Sequence, residues 1–206
     1  MRCIFVIFGK IISIFLILTI YLKKIRCAIN SGYYSVRLKK TGSNFSLDYP
    51  VRFFRGGKYI TIGNNVRISS GVILTAWDLH NDEKYSPEID IGNNVAIGYD
   101  CHITAINKIK IGNNCLLGRL ITITDNSHGD TSEESLNLPP IKRPLYTKGA
   151  VIIGNNVWIG DKVTILPGVT IGDNVVIGAN SVVVKSIPPN SVVVGSPAVV
   201  KRKIIP

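Results

Sequence analysis

Acidic residues are almost missing from the first quarter of this 206-residue chain: residues 1–58 hold Asp48 alone, against 11 Lys or Arg. The other 148 residues carry 13 basic and 12 acidic groups, so nearly all of the +11 net charge sits in that opening stretch. A protein built to grip nucleic acid along its length is therefore not indicated, and no nucleic-acid partner is expected. Cysteine is sparse: the four thiols show no CxxC pair and no dense framework, which excludes a disulfide scaffold and fits free thiols in a reducing cytoplasm. Histidine is scarcer still, at three, with no HxxxxH spacing. From the gaps 80–102–128 the three are expected on different parts of the molecule, and no metal site is expected. There is no GxSxG elbow for a serine nucleophile. Charged residues make up only 18% and apolar residues 46%, which excludes wholesale disorder.

What the opening does contain is hydrophobic. Only Lys10 interrupts the apolar run 3–22; its charged start is compatible with a secretory signal, but no small-x-small cleavage site follows. With Lys10 inside it the run is marginal as a spanning helix, which needs about 20 apolar residues. Lys23, Lys24 and Arg26 come next, and Tyr33, Tyr34, Phe45, Phe53 and Phe54 interleave with further cations. Aromatic and cationic residues together suit the headgroup zone of an anionic leaflet. The expectation is a membrane-associating segment over 1–40, with residues 1–58 meeting the inner face of a bacterial cytoplasmic membrane, ahead of a domain over 41–206. The competing reading is a hydrophobic helix packed on the protein's own body or on a partner subunit.

Beyond residue 59 aliphatic residues recur every six positions: Ile62, Ile68, Leu74; Ile91, Ile97, Ile103; Ile111, Leu117, Ile123; Ile153, Ile159, Ile165; Ile171, Ile177, Val183. A helix needs a spacing near 3.6 and a flat strand needs 2, so neither explains a six. Three hexads make one triangular coil of a parallel β-helix, with the aliphatic residue pointing inward. A small second inward residue follows four places on, at Val66, Val95, Cys101, Cys115, Val157, Val163, Val169 and Val175, which makes core residues of two cysteines. "IGNN" at 62, 91, 111 and 153 and "IGDN" at 171 mark corners, where Gly and Asn tolerate left-handed backbone angles.

Successive corner motifs lie 29, 20, 42 and 18 residues apart, and 18 is one coil. The surplus enters after the third hexad of a coil, at roughly 79–88, 107–108 and 129–150. Stacked coils tolerate extra residues only at corners, so these insertions build a wall along one edge. His128 closes the hexad from Ile123, at the foot of the longest insertion. Position, edge and loop coincide there, which makes it the candidate functional histidine; a neutral imidazole can accept a proton near pH 7 without prior activation. His102 is assigned to another edge and His80 to the shorter insertion, neither with a role. Asn107 and Asp125 are candidate substrate-binding residues, Asp125 also as the group that orients the His128 ring. The loop 129–150, with Pro139, Pro140 and Pro144, is a candidate cover for the site.

"IGNNCLLGRLITITDNSHG", followed by "VIIGNNVWIGDKVTILPGVTIGDNVVIGANSVVVKSIPPNSVVVGSPAVV", resembles the hexapeptide-repeat acyltransferases. The maltose and galactoside O-acetyltransferases and their O-antigen and capsule relatives are the nearest group. The resemblance covers about 59–203. It implies an all-β fold, a left-handed parallel β-helix, here behind an N-terminal hydrophobic helix, and a homotrimer. It also implies acetyl transfer from acetyl-coenzyme A to a sugar hydroxyl, with surface polysaccharide synthesis as the setting and a carbohydrate, free or lipid-linked, as acceptor. His128, seventeen residues after Ile111, falls on the family's base. Trp158 falls on its tryptophan beside the thioester. Gly160, Gly178 and Ala179 leave an edge open for pantetheine, and Lys185, Lys201 and Arg202, with Lys203, are candidate phosphate partners. Gly129 and Asp130 stand where many sugar acetyltransferases carry a second histidine, and the classical N-terminal acceptor-binding helices are replaced by the apolar basic stretch. Acetyl transfer to an antibiotic or amino acid, and a non-enzymatic trimeric scaffold, are the alternatives.

Overall fold

The computed structural model describes residues 2–203. All fifteen hexad residues are buried, as are the eight small residues four places on, and they form one continuous core. Three parallel sheets surround that core, and each coil contributes one short strand to each sheet. The first sheet stacks Lys40–Thr41, Ile60–Ile62, Glu88–Ile91, Lys108–Ile111, Val151–Ile153 and Thr170–Ile171. The second runs from Ser46–Leu47 to Val176–Ile177 and ends in the antiparallel pair Ser191–Gly195 and Ala198–Lys203. Lys201, Arg202 and Lys203 therefore lie on a strand. The third stacks Phe53–Arg55, Ile73–Ala76, His102–Ala105, Thr122–Thr124, Thr164–Ile165 and Val182–Val183. Register is held so that like sits on like, Ile62 on Ile91, Ile91 on Ile111, Ile111 on Ile153 and Ile153 on Ile171. The fold is a parallel β-helix.

At the corners the two motif residues divide the work differently from expectation. The left-handed angle falls on the second Asn, with φ 56–57° at Asn65, Asn94, Asn114, Asn156 and Asn174. The glycines are not left-handed there. They are needed because coils approach too closely for a side chain: a Cβ on Gly63 would lie 2.6 Å from the Gly92 carbonyl carbon. The first Asn accepts the backbone N–H of the adjoining coil, as Asn93 does from Asn64 at 2.7 Å and Asn113 from Asn93 at 2.8 Å.

The helix-bearing coil has no aliphatic hexads to announce it, because Thr41, Leu47 and Phe54 fill its inward places, stacked on Ile62, Ile68 and Leu74. Helix α1 (Arg2–Ser35) covers that end of the prism. Asn30 Nδ2 donates to the Leu47 carbonyl at 2.8 Å, and Ser31 Oγ accepts the Leu47 N–H at 2.9 Å, which satisfies an otherwise open strand edge. Tyr34 packs edge-on to Phe54, 4.8 Å between ring centres. Among the described residues no helix is long and apolar enough to cross a membrane. Ile12, Phe15, Leu16, Ile17, Leu18 and Ile20 of α1 are nonetheless exposed.

Candidate active site

The third sheet and the insertions beside it enclose a cavity of about 370 Å³ lined by Phe53, Ile73, Thr75, Trp77, His80, His102, Thr104, Asn126, His128 and Leu145. All three histidines converge there, contrary to the expectation from their spacing. The reason lies in the coil geometry. His102 immediately precedes an inward residue, Ile103, so it faces outward on the third sheet, in register with Ile73 and Thr122. His80 rides on the shorter insertion, which is tied to the 129–150 loop by the Asn81–Ile141 and Tyr85–Leu145 hydrogen bonds. Among the described residues no group of three or more His, Cys, Asp or Glu is arranged to hold a metal.

His128 is exposed at the mouth of this cavity, on a short strand (Ser127–His128) antiparallel to Leu145–Tyr146. That pairing folds the long insertion back across the corner. Gly129, at φ 76°, makes the turn possible: a Cβ there would crowd Ser135 and lie 2.8 Å from Cδ of Arg143. The two larger insertions support each other, since Asn81 Nδ2 donates to the Ile141 carbonyl at 2.8 Å and the Tyr85 hydroxyl accepts the Leu145 N–H at 2.8 Å. Inside, Thr75 Oγ1 donates to Thr104 Oγ1 at 2.9 Å, leaving a pair of hydroxyl groups on the floor. Trp77 forms a wall, capped by the Arg55 guanidinium 4.1 Å away, and Arg55 also donates to the Leu79 carbonyl at 3.1 Å. Burial holds the His102 imidazole below its ordinary pKa, so it favours the neutral form. Hydrogen bonds from Lys58 and Tyr59 hold the nearby Asp78 carboxyl below the usual carboxylate range.

The acceptor-site expectations for Asp125 and Asn107 are corrected. Asp125 is 0% exposed and makes no hydrogen bond to the histidine ring. Its oxygens accept from Ile106 N at 2.9 Å, Asn107 N at 2.8 Å and Asn126 Nδ2 at 3.0 Å, so it pins a turn and positions Asn126. Asn107 is held by its backbone and does not line the cavity. Asn126, Trp77 and the two threonines carry no sign in the sequence because they sit on outward positions without a periodic mark, and Phe53, grouped there with the aromatics of the basic stretch, lines the cavity.

The donor-side residues lie elsewhere on the chain. Trp158 is on the second sheet, 54% exposed, paired in register with Leu116 and Val176. Lys185, Lys201, Arg202 and Ala179 are exposed, and none lines the histidine cavity. Gly160 and Gly178 have a packing reason of their own: a Cβ would lie 2.6 Å from Ala179 N in the one case and 2.7 Å from Val194 Cγ1 in the other. Burial pushes the Cys101 thiol up to about 11 and raises that of Cys115, which keeps both unreactive. A larger groove of about 970 Å³ between α1 and the first coil contains no histidine.

A parallel β-helix of hexapeptide coils with an outward histidine at the foot of a corner insertion defines a class of transferases. The family model for bacterial transferase hexapeptide repeats matches residues 150–185. The chain is 37% identical over 155 residues to WbbJ of Escherichia coli (strain K12), a protein assigned to lipopolysaccharide biosynthesis O-acetyl transfer, covering 73% of this chain and 75% of that one. A galactoside acetyltransferase solved in complex with coenzyme A is 32% identical, with a TM-score of 0.55, covering 84% of this chain and 68% of that one. The N-acyltransferase AntD from Bacillus cereus superposes with a TM-score of 0.68 over 86% of this chain and 90% of that one; at 21% identity this is a likeness of fold. The chain belongs to the hexapeptide-repeat acetyltransferases.

Proposed function

We propose that the protein transfers an acetyl group from acetyl-coenzyme A to a hydroxyl of a sugar destined for a surface polysaccharide, with His128 as general base. Acetyl-coenzyme A as donor follows from membership of the family, and a coenzyme A complex is known for a relative 32% identical. The observation that carries the base assignment is the placement of His128 at the mouth of a cavity walled by Trp77 and floored by Thr75 and Thr104. An aromatic wall with a few hydroxyl partners suits a pyranose ring. The acceptor oxygen attacks the thioester carbonyl as His128 takes its proton; the C–O bond forms, the C–S bond breaks, and the imidazolium returns the proton to the leaving thiolate. General-base help contributes about 10²–10⁴ in rate, and positioning supplies much of the rest.

The coils are read as left-handed and the protein as a homotrimer. Support for the trimer comes from the exposed apolar residues Leu116 and Trp158 on the second sheet, and from the separation of Trp158 from the histidine cavity within one chain. On this reading a neighbouring copy brings Trp158, Gly160, Gly178 and the basic residues Lys185, Lys201 and Arg202 against His128 to complete the donor groove. The exposed apolar face of α1, followed by Lys23, Lys24 and Arg26, supports attachment to the inner face of the cytoplasmic membrane and a lipid-linked acceptor. Incubation with acetyl-coenzyme A and a panel of nucleotide-linked and lipid-linked sugars, read by mass spectrometry, tests the reaction. A gain of one acetyl group on a sugar is expected; thioester hydrolysis without transfer to any of them counts against the sugar reading.

A further inference from the structure

We propose that His80 is a positioning residue for His128, its imidazole pairing with that of the base. The inference rests on the reading of His128 as general base. His80 lies on a hairpin (Leu79–His80 with Glu83–Lys84) whose two turn residues, Asn81 and Asp82, both take left-handed angles, φ 47° and 66°. Such a turn matches the twist of its strands and makes a compact hairpin. It is fixed at three points: Arg55 holds the Leu79 carbonyl, Asn81 holds the Ile141 carbonyl, and Tyr85 N donates to the Asp78 carbonyl at 3.0 Å. This short insertion therefore presents a side chain at a defined place over the corner.

The side chain presented is an imidazole with a nitrogen that lacks a partner. Nε2 of His80 is buried and makes no hydrogen bond within the chain. A buried polar atom without a partner is rare and costly, and the nearest ring across the cavity is His128, with centroids 5.5 Å apart and planes at 67°. Two imidazoles joined by an in-plane N–H···N bond have centroids about 5 Å apart, given a nitrogen separation near 3 Å. The observed pair stands close to that distance. Trp77 backs His80 on the other side at 6.1 Å, so the histidine is held between a hydrophobic wall and the base.

The pairing gives each atom a task. With its proton on Nδ1, His80 offers the Nε2 lone pair to the N–H of His128 and fixes one tautomer of the base. The other nitrogen of His128 is left unprotonated toward the acceptor hydroxyl. When His128 takes the acceptor's proton, the His80 lone pair faces the imidazolium and stabilises its charge, a part that a carboxylate plays in other base–orienter pairs. Asp125, the residue that sequence position recommended for this part, is spent on backbone amides.

The test compares His80→Phe, which keeps a planar ring against Trp77, with His80→Gln, whose amide oxygen can accept in place of Nε2. Steady-state turnover with acetyl-coenzyme A and an active acceptor should fall on the order of 10–100-fold in the Phe variant and stay within a few-fold of wild type in the Gln variant. KM for acetyl-coenzyme A should be unchanged in both, which a merely structural lesion would not preserve. Wild-type turnover in the Phe variant, or equal loss in a Gln variant with an unaltered melting temperature, overturns the pairing. Should the Phe variant not fold, ¹⁵N spectra of the wild-type imidazoles decide: one fixed His128 tautomer supports the pair, and averaged ring nitrogens refute it. Loss of turnover in His128→Ala with normal turnover in His80→Phe rejects the pair alone, whereas normal turnover in His128→Ala rejects the base assignment itself.

Discussion

Asp125 accepts the backbone N–H of Asn107 at 2.8 Å, across the floor of the corner that presents His128. The same carboxylate takes the N–H of Ile106 and the amide of Asn126, so one buried side chain closes a turn and aims a cavity residue. Asp125→Ala should leave backbone donors unsatisfied and cost about 2–4 kcal/mol of stability, at roughly 1–3 kcal/mol per lost buried bond. Chemical denaturation of purified protein checks this. A change below about 0.5 kcal/mol would mean that water replaces the carboxylate and that its structural role is small.

His102 predicts an acid limit to stability. Burial lowers its folded pKa below the unfolded value, about 6.5, so the unfolded chain binds the extra proton first. The stability tied to its neutral form is fully present above about pH 6.5 and is lost as pH falls toward and through the folded value. Melting curves from pH 8 to 5 should show a decline that is shallower in His102→Gln. Parallel declines in the two proteins would remove His102 from the account.

Removing residues 1–26 should release the protein from membranes and leave the β-helix intact. Asn30, Ser31 and Tyr34, which tie α1 to the first coil, all survive the cut. The cations retained between Arg37 and Lys58 should keep a weak, salt-sensitive attraction to anionic vesicles, about 1 kcal/mol per well-placed charge. Sedimentation with vesicles, full-length against truncated and at low and high salt, is the check. Equal partitioning of both forms would show that α1 packs internally.

The coils from Ile62 to Val183 were legible in the sequence because each inward position repeats one kind of side chain at a fixed interval. The first coil was not, since Thr41 and Phe54 occupy inward places that the later coils give to Ile, Leu or Val. The corner was legible as a place: three insertions on one edge with His128 at the foot of the largest. Its contents were harder to read. An outward position carries no periodic constraint, so Trp77, Thr104 and Asn126 give no sign, and His102 lies on the third sheet at the cavity because faces, not hexad order, decide which edge a residue meets. Asp125 meets backbone amides and Asn126 instead of the histidine ring, because sequence shows that a carboxylate is close in the chain and not which way it turns.

The central claim is that His128 removes the acceptor's proton. Turnover of His128→Ala and His128→Asn with acetyl-coenzyme A and an active sugar acceptor, beside calorimetric affinity for coenzyme A, measures it most directly. A fall of about 10²–10⁴ in turnover, with coenzyme A affinity within a few-fold of wild type, is the predicted result. Turnover near the wild-type rate in either variant would contradict it.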